Sequence, residues 1–399
     1  MTTPATDTDD AAALRAGLTR HLTDAGALRD PAWAEAIGTV ARHRFVPGFY
    51  LAAKHPDADG LTVWEPLTEA VDRDRWLAAA YSDQTLITQF DGQEPDWDQP
   101  RARSGGAPTS SATLPSLVAQ MWQDAELDDG HRLLEIGTGT GYSTALACER
   151  MGSKLVTSIE IDPHRLIQAA GALADLGYHP ALAVADGLFG YRPKAPFDRI
   201  VAACSVRGIP QAWLAQTAPG GKILTTLGGW LFGHARALLT VSNAGAIASG
   251  PLLPGTVSFM AARAQEPPAF GNPAHWAGLA GDQWRTIQHR PERITAGTAE
   301  AFFARFLVQS AIPDAQLTQQ DQATYLIDVR SGSVAEIRDD QVREDGPYRL
   351  WERAETVLDA WDQAGRPGPE QFTVRIDPAG QHLLHPGMPK LSVTGSSTY

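Results

Sequence analysis

Glycine recurs at every second position in the run Leu133-Leu134-Glu135-Ile136-Gly137-Thr138-Gly139-Thr140-Gly141-Tyr142. The run implies a buried strand carrying an acid, then a glycine turn, then a helix starting near Tyr142. Glycine serves where the backbone must take positive φ or let a ligand approach closely. A helix start leaves N–H groups without intrahelical acceptors. Glu135, Gly137, Thr138, Gly139, Gly141 and Tyr142 are therefore candidate ligand-binding residues. Two further apolar runs end in acids: residues 155–162 reach Glu160 and Asp162, and residues 181–187 end on Asp186-Gly187. A carboxylate at a strand's carboxyl end can accept both hydroxyls of a ribose. Taken singly, each acid reads as a cap or turn residue. At successive strand ends, Glu160, Asp186 and Gly187 read with the glycine turn as one site. The dinucleotide fingerprint G-x-G-x-x-G seats a pyrophosphate on the helix start. Here the third glycine comes one place early and Tyr142 stands where that fingerprint has glycine, which disfavours a nicotinamide dehydrogenase.

The elements that must position these residues follow from periodicity. Apolar runs at 155–162, 181–187 and 197–204 continue the strand series begun at Leu133. A helix through Leu214, a turn at Pro219-Gly220-Gly221 and a fifth strand come next. Strands alternating with helical segments imply an α/β fold with a parallel, doubly wound sheet and ligands at the strands' carboxyl ends. Residues 12–22 and 31–41 read as helices before it. A Pro/Gly-containing joint at 265–273 marks a boundary. Beyond it, Phe302, Phe303, Phe306 and Leu307 repeat at helical spacing. Leu350, Trp351, Ala354, Val357, Leu358 and Trp361 form a second amphipathic helix, stopped by Gly365 and Pro367. Phe372, Val374 and Ile376 alternate as a strand before a turn at 377–380. The expected organisation is a catalytic domain at 1–266, made of an N-terminal helical part (1–107) and a ligand-binding core (108–266). A small C-terminal α+β domain (267–390) and a tail (391–399) complete it.

Composition sets outer limits. Of 399 residues, 43% are hydrophobic and 20% charged, as in an ordinary globular protein. The net charge of −13 argues against a broad nucleic-acid or anionic-membrane surface. Residues 1–10 are polar and acidic with no apolar segment, and no apolar run approaches a membrane span, so a cytoplasmic location is expected. Cys148 and Cys204 are expected as reduced thiols, and no Cys/His cluster has zinc spacing, so no metal is expected.

The pattern E-x-G-x-G-x-G resembles the first motif of the class I S-adenosylmethionine-dependent methyltransferases. That resemblance implies a class I methyltransferase fold, with the glycine turn under the cofactor's methionine and ribose. It also implies Glu135 near the amino-acid end and Asp186 at the adenine amino group. Three more segments narrow the family: Arg42-His43-Arg44-Phe45-Val46-Pro47, Ala80-Tyr81-Ser82-Asp83-Gln84, and Thr109-Ser110-Ser111-Ala112-Thr113-Leu114-Pro115. They are similar to the R-x-x-F-V-P, A-Y and T-x-S-x-P segments of the protein-L-isoaspartate O-methyltransferase family, and the likeness runs from about Arg42 to about Arg263. Anchored on Pro115, Ser111 takes the Thr place and Thr113 the Ser place of the last motif. The resemblance makes Ser111 and Thr113 the candidate catalytic residues, with Ser110 and Tyr81 as candidate substrate contacts; Arg207, just past the fourth strand, is a further candidate that could steer a carboxylate by its charge, although a surface arginine is the default reading.

Two features depart from the repair enzymes of that family: a long loop at residues 91–106 and the whole region beyond the 265–273 joint. The longer architecture resembles O-methyltransferases encoded with ribosomally made lanthipeptides and graspetides. This implies an aspartate in a modified, often macrocyclic, precursor peptide as methyl acceptor, with S-adenosylhomocysteine as by-product. The ester would then close to a succinimide (aspartimide) with loss of methanol, and hydrolysis of that ring would give isoaspartate. The alternatives are repair of isoaspartyl residues in damaged proteins and a non-catalytic peptide-binding module on the same fold.

Overall fold

The computed structural model describes residues 9–242 and 245–393; the polar start through residue 8 and the end of the tail from residue 394 lie outside them. The chain divides into two compact units, Met1–Val201 and Ala202–Tyr399. The boundary expected at 266/267 falls inside the second unit.

The first unit opens with α1 (Asp9–Asp24) and α2 (Pro31–Thr39). Asp30 caps α2 by accepting the Ala32 N–H, and Pro31 supplies a ready-set φ at the first helical position. After a 3₁₀ turn at Arg42–Phe45 come β1 (Gly48–Ala52), β2 (Val63–Thr68), α3 (Arg73–Ala80), β3 (Leu86–Phe90), β4 (Arg103–Ser104) and β5 (Pro108–Ala112). These strands form a five-stranded antiparallel sheet in the order β4-β2-β1-β3-β5. The region expected to be helical is thus half sheet. Its strands are short, Pro66 and Pro108 interrupt the apolar pattern, and β5 carries hydroxyls where alternation would show apolar residues.

The parallel part follows expectation. After α4 (Pro115–Asp124) come β6 (Leu133–Ile136), α5 (Tyr142–Met151), β7 (Val156–Glu160), α6 (Pro163–Asp175) and β8 (Ala181–Val184). β6, β7 and β8 pair in parallel. All residues of β6 and β7 are buried, as both-face burial requires of a parallel strand. Asp162 starts α6 by accepting the His164 and Arg165 N–H groups, with Pro163 at the first position. β9 (Phe197–Val206) carries the chain into the second unit.

There, α7 (Gln211–Gln216) leads to β10 (Thr217–Gly228), β11 (His234–Ser242) and β12 (Ile247–Pro251). The Pro219-Gly220-Gly221 turn is absorbed into β10, where Gly220 has φ +78°. Further on are α8 (Pro273–Ala277), β13 (Arg285–Thr286), α9 (Glu292–Thr295), α10 (Ala299–Val308), β14 (Gln316–Gln320), β15 (Ala323–Asp328), β16 (Ser333–Arg338) and β17 (Gln341–Asp345). The expected amphipathic helix is α11 (Leu350–Gln363), with all six stripe residues buried. The hairpin of β18 (Thr373–Asp377) and β19 (Gly380–Leu384) follows, then β20 (Leu391–Ser392). One antiparallel series runs β20-β19-β18-β12-β11-β10; a second sheet is ordered β13-β17-β16-β15-β14. That second sheet escaped the sequence reading because charged residues interrupt it. Glu336 on β16 is fully buried and paired with Arg338 and Arg343.

His234 gives this unit a pH dependence. Its ring is buried against Phe302 with centroids 6.0 Å apart, and burial, helped by the Arg305 charge, lowers its pKa to about 4. A histidine lowered on folding stabilises above its unfolded pKa of about 6.5 and loses that contribution as pH falls toward the folded value. Acidifying from pH 7 to 5 is expected to cost about 2 kcal/mol of stability through this group. In His234→Phe that share should vanish from urea unfolding curves; an unaltered pH slope would refute the assignment.

Candidate functional site

The glycine turn links β6 to α5, and its backbone explains its composition. Gly137, Gly139 and Gly141 have φ of 96°, 53° and 90°, the left-handed region that L side chains avoid. A Cβ on Gly141 would also stand 3.1 Å from Ala169 Cβ. Gly137 and Thr138 donate to the Ile159 carbonyl of β7 at 2.9 and 3.2 Å, and Gly141 closes back on Thr138 at 2.9 Å. The turn is thereby fixed over the carboxyl ends of β6 and β7. The Thr138 side chain is buried, 2.7 Å from Ser158 Oγ.

Glu160, at the end of β7, holds the turn from the other side. Its Oε2 accepts the Gly139 N–H at 2.9 Å, and its Oε1 accepts Ile161 and Asp162 N–H at 2.9 and 3.1 Å. A carboxylate offers about four acceptor positions. Three are taken by backbone, which leaves one on Oε2 for a ligand hydroxyl. Asp186 is half-buried after β8; its Oδ1 accepts Leu188 N–H at 2.9 Å. Beside it, Gly187 lets the chain approach β6, since a Cβ there would meet Ile136 Cγ2 at 2.3 Å.

Glu135 is buried and accepts three hydroxyls of the chain itself. Ser143 and Thr144 Oγ donate to it at 2.5 Å and Ser158 Oγ at 2.7 Å. Burial pushes its pKa up, against the pull of these three hydroxyls and with the help of the Glu160 charge. Its place is beneath the turn, tying the α5 start to β6 and β7. The Tyr142 ring also faces inward, packed on Phe45 at 6.0 Å with the Arg42 guanidinium 5.6 Å above it. Burial raises its phenol pKa. What Tyr142 offers a ligand is its N–H at the helix start.

The hydroxyl block sits on β5 and the residues after it. Ser111 is half-buried, and its carbonyl oxygen lies 3.6 Å from where a Cβ on Gly139 would be. The sheet bearing the hydroxyls therefore meets the glycine turn. Thr113 is half-buried before α4; Ser110 is buried on the other side of the strand, where its Oγ accepts from Thr88 at 3.1 Å. Tyr81 is buried, its hydroxyl 2.7 Å from His43 Nδ1. Arg207 belongs to the second unit, where its guanidinium pairs with Asp314 at 2.6 Å, donates to the Pro313 carbonyl and lies over the Trp230 ring at 4.0 Å.

Two residues outside the sequence candidates organise this region. Arg42 is fully buried and donates to five carbonyls: Ala80 and Ser82 through Nη1, and Gln84, Ala112 and Thr113 through Nη2. Burial lowers its pKa to about 10, which leaves it charged at neutral pH. Asp83 accepts the Ser116 N–H at 2.9 Å and so caps α4 from a distance. Both lie in quoted motifs, but a motif carries no sign that an arginine is turned inward.

Known proteins were compared with this geometry. The family described as Protein-L-isoaspartate(D-aspartate) O-methyltransferase (PCMT) matches residues 61–232. The Protein-L-isoaspartate O-methyltransferase of Thermococcus onnurineus is 36% identical over 135 residues, which are 33% of this chain and 60% of the relative. Protein-L-isoaspartate O-methyltransferase 1 of Archaeoglobus fulgidus is 40% identical over 118 residues, 29% of this chain and 55% of the relative. The chain thus spans little more than half of these relatives' length. A solved structure named protein-L-isoaspartate O-methyltransferase covers 93% of this chain and 99% of its own, with a TM-score of 0.52 and 21% identity, a likeness of fold. The Protein-L-isoaspartate O-methyltransferase of Anaeromyxobacter dehalogenans strain 2CP-1 is 40% identical over 166 residues, 40% of this chain and 70% of the relative. With that much of a relative matched at that identity, the chain belongs to the protein-L-isoaspartate O-methyltransferase family.

Proposed function

We propose that the first unit is an S-adenosylmethionine-dependent carboxyl O-methyltransferase whose acceptor is an isoaspartyl residue in a peptide or protein. The observation that carries this reading is the approach of the Ser111 backbone carbonyl to Gly139, which sets the strand bearing the hydroxyl block beside the glycine turn. The cradle fits the cofactor. Its glycines hold the left-handed turn that side chains avoid, Glu160 keeps one acceptor for a ribose hydroxyl, and the second oxygen of Asp186 suits the adenine amino group. When bound, S-adenosylmethionine supplies an electrophilic methyl group on a sulfonium.

The chain's own task is alignment. A carboxylate with an ordinary pKa near 4 is already an anion at neutral pH, so no general base is required. Holding the reactants in line and excluding water is worth roughly 7–11 kcal/mol. Ser111 and Thr113 suit this role, because a hydroxyl orients a carboxylate oxygen without the full charge pairing that would blunt its attack. Arg42 fixes the backbone of the block by binding the Ala112 and Thr113 carbonyls.

The likeness to protein-L-isoaspartate O-methyltransferases favours an isoaspartyl acceptor over an aspartate in a macrocyclic precursor. The expectation of lanthipeptide or graspetide maturation is therefore set aside. No helix among the described residues is long and apolar enough to cross a membrane.

Removal of single hydroxyls and of the distal acid separates the two halves of the site. With an isoaspartyl peptide, Ser111→Ala and Thr113→Ala should each lower kcat about tenfold while S-adenosylhomocysteine affinity in calorimetry holds within about twofold. Asp186→Ala should weaken that affinity about tenfold. Unchanged kcat in both hydroxyl variants would remove them from the reaction. Absence of cofactor binding in the unaltered protein would favour the non-catalytic module.

A further inference from the structure

The loop at residues 91–106 holds none of the residues assigned to the methyl transfer, and three anchors fix it. Trp97 lies against β1: a Cβ on Gly48 would stand 2.3 Å from its ring, and its centroid is 5.1 Å from that of Tyr50. Glu94 takes both Nε and Nη2 of Arg165 on α6 and accepts from Gln89 Nε2 at 2.8 Å. Arg103 pairs with Asp91 and covers the Phe90 ring at 4.6 Å.

Residues directly opposite on neighbouring strands share a face. Ile87 stands opposite Ser111 on β5 and opposite Tyr50 on β1. Ser111, Ile87 and Tyr50 therefore form one row, and Trp97 extends it across Gly48, two residues from Tyr50. Trp64 joins the same face opposite Ala52, with its ring 5.1 Å from Phe90. Ser111, Ile87, Trp64 and Trp97 are only half-buried, so the row keeps surface for a further contact. Two strand spacings separate Ser111 from Tyr50, about 10 Å, a span that an extended peptide covers in about three residues.

We infer that Trp97, seated on the buried Tyr50, forms with Trp64 a specificity platform for an apolar or aromatic side chain standing two or three residues from the methyl-accepting carboxylate. The occupant is the substrate peptide itself, because the row starts at Ser111, beside the glycine turn, and continues outward without leaving the sheet. This deepens the proposed transfer and takes from it the placing of the carboxylate at Ser111. Most of the platform comes from β1–β3, but Trp97 comes from the long loop, so the loop sets which flanking residues are preferred.

The test uses the full chain saturated with S-adenosylhomocysteine. Isoaspartyl hexapeptides carry Phe at the second or third residue to either side of the isoaspartate, and each is paired with its Ser counterpart. Calorimetry of the unaltered protein should give at least one Phe peptide about tenfold the affinity of its Ser partner. Trp97→Ala should reduce that ratio to within about twofold, and Trp97→Phe should keep most of it. Equal affinities in the unaltered protein, or an undiminished ratio in Trp97→Ala, would overturn the inference. Should Trp97→Ala lose cofactor affinity through misfolding, Trp97→Leu carries the same comparison. Turnover is read separately: discrimination in binding with no methyl ester formed would remove the transferase reading and leave the platform standing.

Discussion

Arg42→Ala is expected to lower the unfolding free energy of the first unit by about 4 kcal/mol or more, and to abolish methyl transfer in the fraction that folds. The arginine is wholly buried, and its two terminal nitrogens serve the carbonyls of Ala80, Ser82, Gln84, Ala112 and Thr113. Each carbonyl left without a donor in a dry interior costs about 1–3 kcal/mol, less where water or a neighbour replaces the lost bond. Lysine carries a single nitrogen and cannot fork to five acceptors on two separate segments. Arg42→Lys should therefore recover only part of the loss. Urea unfolding followed by tryptophan fluorescence reads the stability, and a shift below about 1 kcal/mol would mean the clamp is dispensable.

The second large effect is at Glu135. Its oxygens gather hydroxyls from Ser143 and Thr144 at the start of α5 and from Ser158 on β7. Bonds from hydroxyls to a carboxylate are about twice as strong as neutral ones. Glu135→Ala removes all three and opens a cavity under the glycine turn. Ser158 and Thr144 keep partners, because Ser158 also meets Thr138 and Thr144. The expected loss is about 3 kcal/mol of stability. Cofactor affinity should also fall about tenfold or more, because the turn no longer holds its shape. Calorimetry with S-adenosylhomocysteine checks the second part. Full affinity in Glu135→Ala would show that the turn is shaped by its glycines alone.

The parallel core was legible for a physical reason. β6 and β7 are buried on both faces, so they show no charged, solvent-facing alternation and carry Leu, Val and Ile around a few polar residues, and the residues that end or follow them must turn the chain at the sheet's edge. Hence Gly137–Gly141, Glu160 and Asp186 could be placed from spacing alone. The antiparallel sheet was not legible. β5 reads Pro-Thr-Ser-Ser-Ala, without the alternation that marks a half-buried strand, and β4 has only two residues. The inward turn of Tyr142 and the engagement of Glu135 by three hydroxyls depend on contacts with Arg42, Phe45 and Ser158, which are distant in sequence. Arg207 looked free for a carboxylate because its partner Asp314 lies 107 residues away. The β14–β17 sheet hid behind buried charges such as Glu336, whose arginine partners sit on its own and the adjoining strand.

The central claim is that this chain moves a methyl group from a sulfonium to an isoaspartyl carboxylate. The direct measurement mixes the unaltered protein with methyl-labelled S-adenosylmethionine and two peptides identical except for isoaspartate or aspartate at one position, then counts base-labile label. The account predicts label on the isoaspartyl peptide, released as methanol by mild base, and little on its aspartyl twin. Label on neither peptide, or equal label on both, would contradict it.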